Sequence, residues 1–377
     1  MHLRQTLGEW IAHADRLHAA GREHWQRLSP FPQRWVIEPY LGFGTPSRLY
    51  LRGRVLRRVE HRAPSASAGS WRNLAEFWKR MDSHEAPRAR VRAHLGAVIS
   101  EAVADDEGHF RFDLVPIPPL SEPGWHPIEL ELCARRPTAS DDSVRATAQV
   151  LVPPTTARFG VISDIDDTIV WSGVRHKLRM LAHLARSNAH TRKPFQGVSA
   201  FYRALYQGLS DDGNPIFYVS GSPWNLYAPL LEFMSLQGLP TGPLLLRDFG
   251  HRMLFTPAHG PLHKRRCIEH VLATYPHLPF VLIGDSGESD PEIYRDVVRA
   301  HPNRVRAIYI RSVEPDAARI GAIDRLIDDV RPTGIPLVLA ADSEFAAEHA
   351  ATEGLICAQA LAEVREDQRA DAHGAPP

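Results

Sequence analysis

The sequence predicts a multidomain chain: an N-terminal amphipathic helix, an antiparallel β-sandwich, then an α/β domain on a parallel sheet. Three changes of apolar rhythm predict it. Apolar residues recur at helical spacing within residues 1–30 and at a period of two from Trp35 to Val152. After Pro153-Pro154 they form short unbroken runs that alternate with helical stretches. A length of 377 residues suits about two domains beyond the leading helix.

In the lead, Leu7, Trp10, Ile11, Ala14 and Leu17 form one apolar stripe, and Pro30 and Pro32 end it. Arg4, Glu9, Asp15 and Arg16 interrupt any apolar core a secretory signal would need. No apolar run reaches the ~18 residues of a spanning helix, so a transmembrane segment is not expected. In residues 31–154, Leu49, Leu51 and Val55 alternate with Tyr50, Arg52 and Arg54. The same habit recurs at Val91–Leu95, Phe110–Leu114, Ile128–Leu132 and Val144–Val152. One buried and one wet face per strand means antiparallel pairing, most simply a small sandwich, with Asp105–Gly108 as a hairpin turn. In residues 155–364, strands are expected at Phe159–Ile162, Ile216–Val219, Leu244–Leu246, Phe280–Ile283, Val305–Ile310 and Pro336–Leu339. Helices are expected at Trp224–Leu236, Lys264–Thr274 and Pro291–Ala300. That alternation is the Rossmann-like rhythm of a parallel sheet covered on both faces. Residues 365–377, charged and rich in Ala and Pro, read as a disordered tail.

Composition narrows the function. Lys+Arg and Asp+Glu are 44 each, so no global charge points to nucleic acid. Cys133, Cys267 and Cys357 are odd in number and far apart, which suits a reducing, cytoplasmic setting rather than a disulfide framework. The 20 His residues show neither HExxH nor paired CxxC spacing, so zinc is not indicated.

The sharpest chemical signal is Ser163-Asp164-Ile165-Asp166-Asp167-Thr168, directly after the buried run Phe159–Ile162. Ligands of open parallel sheets bind at the carboxyl ends of strands. Crowded acids there are tolerable when a cation or phosphate chemistry uses them. A calcium loop counted from Asp164 would need Gly at Ile169 and Glu at Arg175, so that reading fails. Ser220-Gly221-Ser222 follows the second run and precedes a helix, as a phosphate-oxygen ligand or as an ordinary cap. Lys264 opens a helix, where a cation opposes the macrodipole; it is either held by an anion or solvated beside Arg265 and Arg266. Gly284-Asp285-Ser286-Gly287-Glu288-Ser289-Asp290 follows the fourth run, as metal-ligand loop or simple turn.

The order Asp-x-Asp-x-Thr, Ser, Lys, Gly-Asp-x-x-x-x-Asp resembles the haloacid dehalogenase superfamily of aspartate-nucleophile phosphohydrolases. The longer matches Ser-Asp-Ile-Asp-Asp-Thr-Ile, Val-Ser-Gly-Ser-Pro-Trp and Ile-Gly-Asp-Ser-Gly-x-x-Asp-Pro-Glu-Ile-Tyr are similar to the actin-patch-type phosphatidate phosphatase family and its bacterial relatives. Glu38–Pro46 is similar to the segment that opens the β-domain of those relatives. The resemblance is specific from Phe159 to Arg311 and looser over Val36–Val152. It implies Asp164 as nucleophile, Asp166 as acid and then base, and Thr168 as a brace of their loop. It also implies Ser220 as holder of a phosphoryl oxygen, supported by Gly221 and Ser222, and Lys264 as charge compensation. Mg²⁺ would sit on Asp164, Asp285 and the carbonyl of Asp166. Asp290 would orient Lys264 or a water on the metal, with Glu288 as the weaker stand-in. A magnesium ion would offset the repulsion between a carboxylate and a phosphate dianion.

Between Thr168 and Asp211 stand seven basic residues, among them Arg175, Lys177 and Arg179, and no acidic one. In the superfamily this point, here about residues 169–212, holds a small cap over the substrate. A basic, partly apolar helix beside a phosphate site suits an anionic phospholipid headgroup and peripheral contact with a membrane; an exposed helix packed on the core is the plain reading. The expectation is a Mg²⁺-dependent phosphatidate phosphatase. Its alternatives are a soluble phosphatase for a small metabolite or nucleotide, and a non-catalytic phosphoester-binding scaffold, against which stands the presence of both Asp164 and Asp166.

Overall fold

The computed structural model describes residues 33–59, 84–133, 144–165, 197–247, 260–313 and 317–373. The leading helix expected over 1–30 and the cap window up to residue 196 lie outside them.

The first half forms a nine-stranded sheet. Its strands are β1 (Gln33–Pro39), β2 (Gly42–Thr45), β3 (Arg48–Val59), β4 (His84–Glu85), β5 (Arg90–Leu95), β6 (Val98–Val103), β7 (His109–Leu114), β8 (Gly124–Cys133) and β9 (Arg145–Val152). The ladder is continuous in the order β1-β3-β2-β9-β8-β5-β6, with β4 and β7 also paired to β3. Alternating residues of these strands, including Leu49, Leu51, Val91, Phe112, Ile128 and Val150, bury one shared core. Two details depart from the sequence reading. β2 and β9 pair in parallel, because a period of two fixes which face is buried and not the direction of the partner. The Asp105–Gly108 turn exists, with Asp105 Oδ1 accepting the Glu107 and His109 N–H groups, yet it closes no hairpin. β7 pairs with β3, so the turn carries the chain away from β6.

The second half is a six-stranded sheet, all its pairs parallel, in the order β12-β11-β10-β13-β14-β15. These are β10 (Gly160–Asp164), β11 (Ile216–Pro223), β12 (Leu244–Arg247), β13 (Phe280–Asp285), β14 (Val305–Arg311) and β15 (Leu337–Ala340). The helices are α1 (Val198–Gln207), α2 (Tyr227–Leu236), α3 (Gly260–Thr274), α4 (Asp290–Ala300), α5 (Ala317–Val330), α6 (Ser343–Thr352) and α7 (Ala360–His373). Both faces are buried, which is why the strands read as unbroken apolar runs. Val161, Tyr218 and Val281 face one core cluster with α1, α2, α6 and α7; Ile162, Phe217 and Leu282 face the other with α3 and α4.

The tail expected from residue 365 is instead the continuation of α7 to His373. Its charges dock it. Asp367 accepts the N–H of Ala200 in the first turn of α1, whose own cap position, Gly197, has no side chain to offer. Arg365 pairs with Glu344 and Glu348 of α6, and Val364 is fully buried.

The two halves share a core. From the Glu38–Pro46 segment, Tyr40 enters one cluster of the α/β half and Phe43 the other. Fully burying a Phe contributes roughly 1.5–3 kcal/mol, so this anchor is substantial. The Leu41 N–H also donates to Tyr227 Oη at 2.7 Å.

Candidate active site

Counting outward from β10, the strand order is 3-2-1-4-5-6, and it reverses beside β10. A crevice at the carboxyl ends of the strands is expected there. Asp164, the last residue of β10, stands at that point with no exposed surface. It lies level with Val219, one residue before Ser220, and its neighbour Ser163 lies level with Ile283, two residues before Asp285. Adjacent strands are about 4.8 Å apart, so these three positions share one sheet edge. The Ser163 hydroxyl donates to the Asp164 carbonyl at 2.7 Å, which leaves the buried Tyr202 hydroxyl, 2.5 Å away, to donate to Ser163.

On one side, β11 leaves its register between Val219 and Pro223: four steps along β11 match two along β12. Ser220, Gly221 and Ser222 fill that irregular stretch, and the Ser222 N–H donates to Ser220 Oγ at 2.9 Å. Neither serine caps the helix that follows. A 3₁₀ turn, Trp224–Leu226, comes first, and the cap positions fall on Pro223 and Leu226.

On the other side, Lys264 is buried and its ammonium meets three carboxylates. It lies 2.8 Å from Asp164 Oδ1 and 3.3 Å from Glu288 Oε2, and it also pairs with Asp290 Oδ1. Burial alone would pull the Lys264 pKa down, but the three carboxylates outweigh it and hold the pKa well above the usual value. The helix begins at Gly260, so Lys264 sits one turn inside rather than opening it, and the macrodipole argument gives way to direct ion pairing. Gly260-Pro261 was the signal for that start, since proline favours the first turn. Asp290, the first residue of α4, is itself pushed up by burial against the pull of Lys264. Gly284 makes this packing possible: a Cβ there would lie 2.4 Å from Asp290 Oδ2.

Asp285 ends β13. Its Oδ1 accepts the N–H groups of Gly287 and Glu288 at 2.6 and 2.9 Å. Its Oδ2 is buried without a hydrogen-bond partner among the described residues. Burial and the neighbouring Asp290 carboxylate push the Asp285 pKa up to about 8, against the opposing pull of Lys264. Asp164, Glu288 and Asp290 each bring an oxygen within 4.8 Å of the others, the spacing of a cation-binding cluster, and the Lys264 ammonium is the cation that they share.

Of the sequence-predicted residues, Asp164, Lys264, Glu288 and Asp290 are thus in one charged cluster, and Ser220, Gly221, Ser222 and Asp285 occupy the same sheet edge. Asp166, Thr168, Arg175, Lys177 and Arg179 lie outside the described residues. Arg203, part of the same basic window, is turned to Asp367 and to the Gly238 carbonyl. Sequence reasoning missed Arg319 on α5. Its guanidinium donates to the carbonyls of Ser286 (2.7 Å) and Glu288 (2.6 Å) and pairs with Glu292, clasping the Asp285 loop. A fork of backbone acceptors leaves no sequence pattern. It also missed Tyr40 against Trp224, although both sit in the segments it singled out.

Comparison with known proteins concerns the segment that carries most of these residues. Residues 159–312 match the family model of the catalytic domain of phosphatidate phosphatase APP1. The chain is 32% identical over 154 residues to phosphatidate phosphatase APP1 of Saccharomyces cerevisiae, covering 41% of this chain and 26% of that protein. It is 28% identical over 215 residues to an uncharacterized protein of Schizosaccharomyces pombe, covering 56% of this chain and 34% of that one. The chain therefore spans about a quarter to a third of the length of these curated relatives. A solved Bifidobacterium dentium β-glucuronidase aligns with a TM-score of 0.26 at 10% identity, over 92% of this chain and 60% of its own, an overlap too poor to carry any argument. Residues 159–312 are thus similar to the catalytic domain of a phosphoric monoester hydrolase. Within that class the similarity is to a phosphatidate phosphatase.

Proposed function

We propose that this chain is a divalent-ion-dependent phosphatase of the haloacid dehalogenase type, acting on phosphatidate-like lipids through an aspartyl-phosphate on Asp164. The observation that carries the reading is the buried Asp164–Lys264–Asp290 cluster at the point of strand reversal, inside the segment similar to the phosphatidate phosphatase.

A Asp164 carboxylate oxygen attacks phosphorus, and the bond from phosphorus to the leaving oxygen breaks. Asp166, reached by sequence resemblance, supplies that oxygen's proton. Asp166 then takes a proton from a water whose oxygen attacks phosphorus and frees Asp164 as a carboxylate, giving inorganic phosphate. Ser220 holds a phosphoryl oxygen. Lys264, fixed by Glu288 and Asp290, offsets charge on Asp164.

The described residues offer oxygen donors suited to a divalent cation such as Mg²⁺. Asp285 Oδ2 is a buried oxygen lacking a partner among the described residues, and an all-oxygen donor set suits a hard cation. Asp164, Asp285 and the Asp166 carbonyl would hold the ion, which when bound offsets the repulsion between carboxylate and phosphate dianion. Arg175, Lys177 and Arg179 carry the reading that the substrate is an anionic headgroup at a membrane surface, reached from the cytoplasm. No described helix is long and apolar enough to cross a membrane.

The test is phosphate release from phosphatidate in anionic vesicles and from a soluble aryl phosphate, with and without Mg²⁺. Asp164→Asn should lower release by about 10³-fold or more, since it removes the nucleophile. Equal release by wild type and variant would end the nucleophile assignment. Turnover of sugar phosphates with no binding to anionic vesicles would move the substrate to the soluble class.

A further inference from the structure

We infer that the nine-stranded sheet is a working part of the catalytic unit: Tyr40 and Arg54 are positioning residues that set the loop carrying Ser220. The inference rests on the phosphatase reading above and assigns the first half of the chain a role in it.

The stretch carrying Ser220 is the irregular end of β11: from Val219 to Pro223 the strand is out of step with β12, and Ser220, Gly221 and Ser222 fill the shift. One tie within it runs from the Ser222 N–H to Ser220 Oγ, and Trp224 and Asn225 come next in the chain. Both are held by the other half of the molecule. The Tyr40 ring stacks on Trp224 with centroids 4.1 Å apart and planes within 9°. The Arg52 guanidinium lies 5.2 Å from the same indole. Arg54, a buried cation, donates from Nη1 to Asn225 Oδ1 at 2.5 Å and from Nε to the Glu107 carbonyl at 2.9 Å.

The cost of this arrangement argues that it is used. Burying a guanidinium is unfavourable unless its donors are satisfied, and Arg54 spends its fork on joining the Asp105–Gly108 turn to Asn225. Tyr40 is buried too, while its Oη has no hydrogen-bond partner among the described residues, so what it contributes is ring packing, on Trp224 and, with centroids 4.5 Å apart, on Tyr227. None of Tyr40, Arg52 and Arg54 lies within residues 159–312, the segment similar to a catalytic domain. This bracing of Trp224 and Asn225 therefore comes from outside that segment.

A holder of phosphoryl oxygen that drifts by a fraction of an ångström loses ground-state and transition-state binding alike, which raises KM more than it lowers kcat. The full chain carrying Tyr40→Ala or Arg54→Met should show KM for an aryl phosphate, and the inhibition constant of inorganic phosphate, raised about tenfold with kcat within about threefold. Tyr40→Phe keeps the stacking and should match wild type. Asn225→Ala, outside the core, is the second variant and should reproduce the Arg54→Met shift; it decides alone where the others do not fold by thermal melting. Folded variants whose KM and phosphate inhibition constant stay within about twofold of wild type overturn the inference. So does a Tyr40→Phe variant as impaired as Tyr40→Ala. A wild-type chain that releases no phosphate from either substrate overturns instead the phosphatase reading beneath it.

Discussion

Two stretches flank Asp164, the irregular end of β11 and the loop after β13, and they are held in different ways. The Ser220 loop is braced across the molecule, by an arginine 171 residues away in sequence and by a ring stacked from the same sheet. The Asp285 loop is braced from within its own half. Arg319 clasps its carbonyls, Ser286 Oγ accepts the Val313 N–H, and the Tyr294 hydroxyl fixes the Ile283 carbonyl at 2.7 Å just before the loop starts. The difference divides the labour of the site. The side assigned to phosphoryl oxygens depends on both halves being docked, while the side assigned to charge and metal stands on its own domain. Damage to the two sides should therefore read out in different constants.

The largest effect should come from Lys264, which ties Asp164 to the Asp285 side. Lys264→Met leaves Asp164, Glu288 and Asp290 facing one another without their shared cation. Removing one partner of a buried ion cluster costs about 3–5 kcal/mol, and urea unfolding should record a loss of that order. A loss below about 1 kcal/mol would mean that the ammonium is not the element holding these acids together. Next comes Arg319→Met, which cuts the clasp on the Asp285 loop and leaves the Ser220 side untouched. Groups that orient metal ligands from behind typically matter about 10–100-fold in metal affinity. Calorimetric Mg²⁺ binding should weaken by at least about tenfold, with KM for the aryl phosphate unchanged. A shift in KM instead, with Mg²⁺ affinity intact, would erase the contrast between the two loops.

What the sequence disclosed follows the same physics. The six parallel strands were visible because both faces are buried, as at Val161 and Ile162, and the acids were visible because they end those strands. Hidden were features whose partners are distant or are backbone. Arg319 looks like any helical arginine, since its partners are carbonyls. Tyr40 and Trp224 each sat in a recognisable segment, yet no spacing rule connects them. Arg365 and Asp367 read as a solvated tail because charge suggests exposure, whereas here charge is the docking device. The apolar spacing starts its helix at Lys264, whereas the helix begins one turn earlier, at Gly260, and Lys264 pairs with Asp164 from inside it.

The smallest effect separates anchoring of the halves from positioning of the loop. Tyr227 joins the halves through its hydroxyl, which accepts the Leu41 N–H, but it lies on α2 beyond the 3₁₀ turn. Tyr227→Phe removes that acceptor while leaving the Tyr40–Trp224 stack and the Arg54–Asn225 bond in place. One such hydrogen bond contributes about 0.5–1.5 kcal/mol, so thermal or urea unfolding should show a loss within that range. KM for the aryl phosphate should stay within about twofold, because the residues next to Ser220 keep their supports. If this variant raised KM as much as Arg54→Met, any weakening of the contact between halves would suffice, and the particular bracing of Trp224 and Asn225 would not be what holds Ser220.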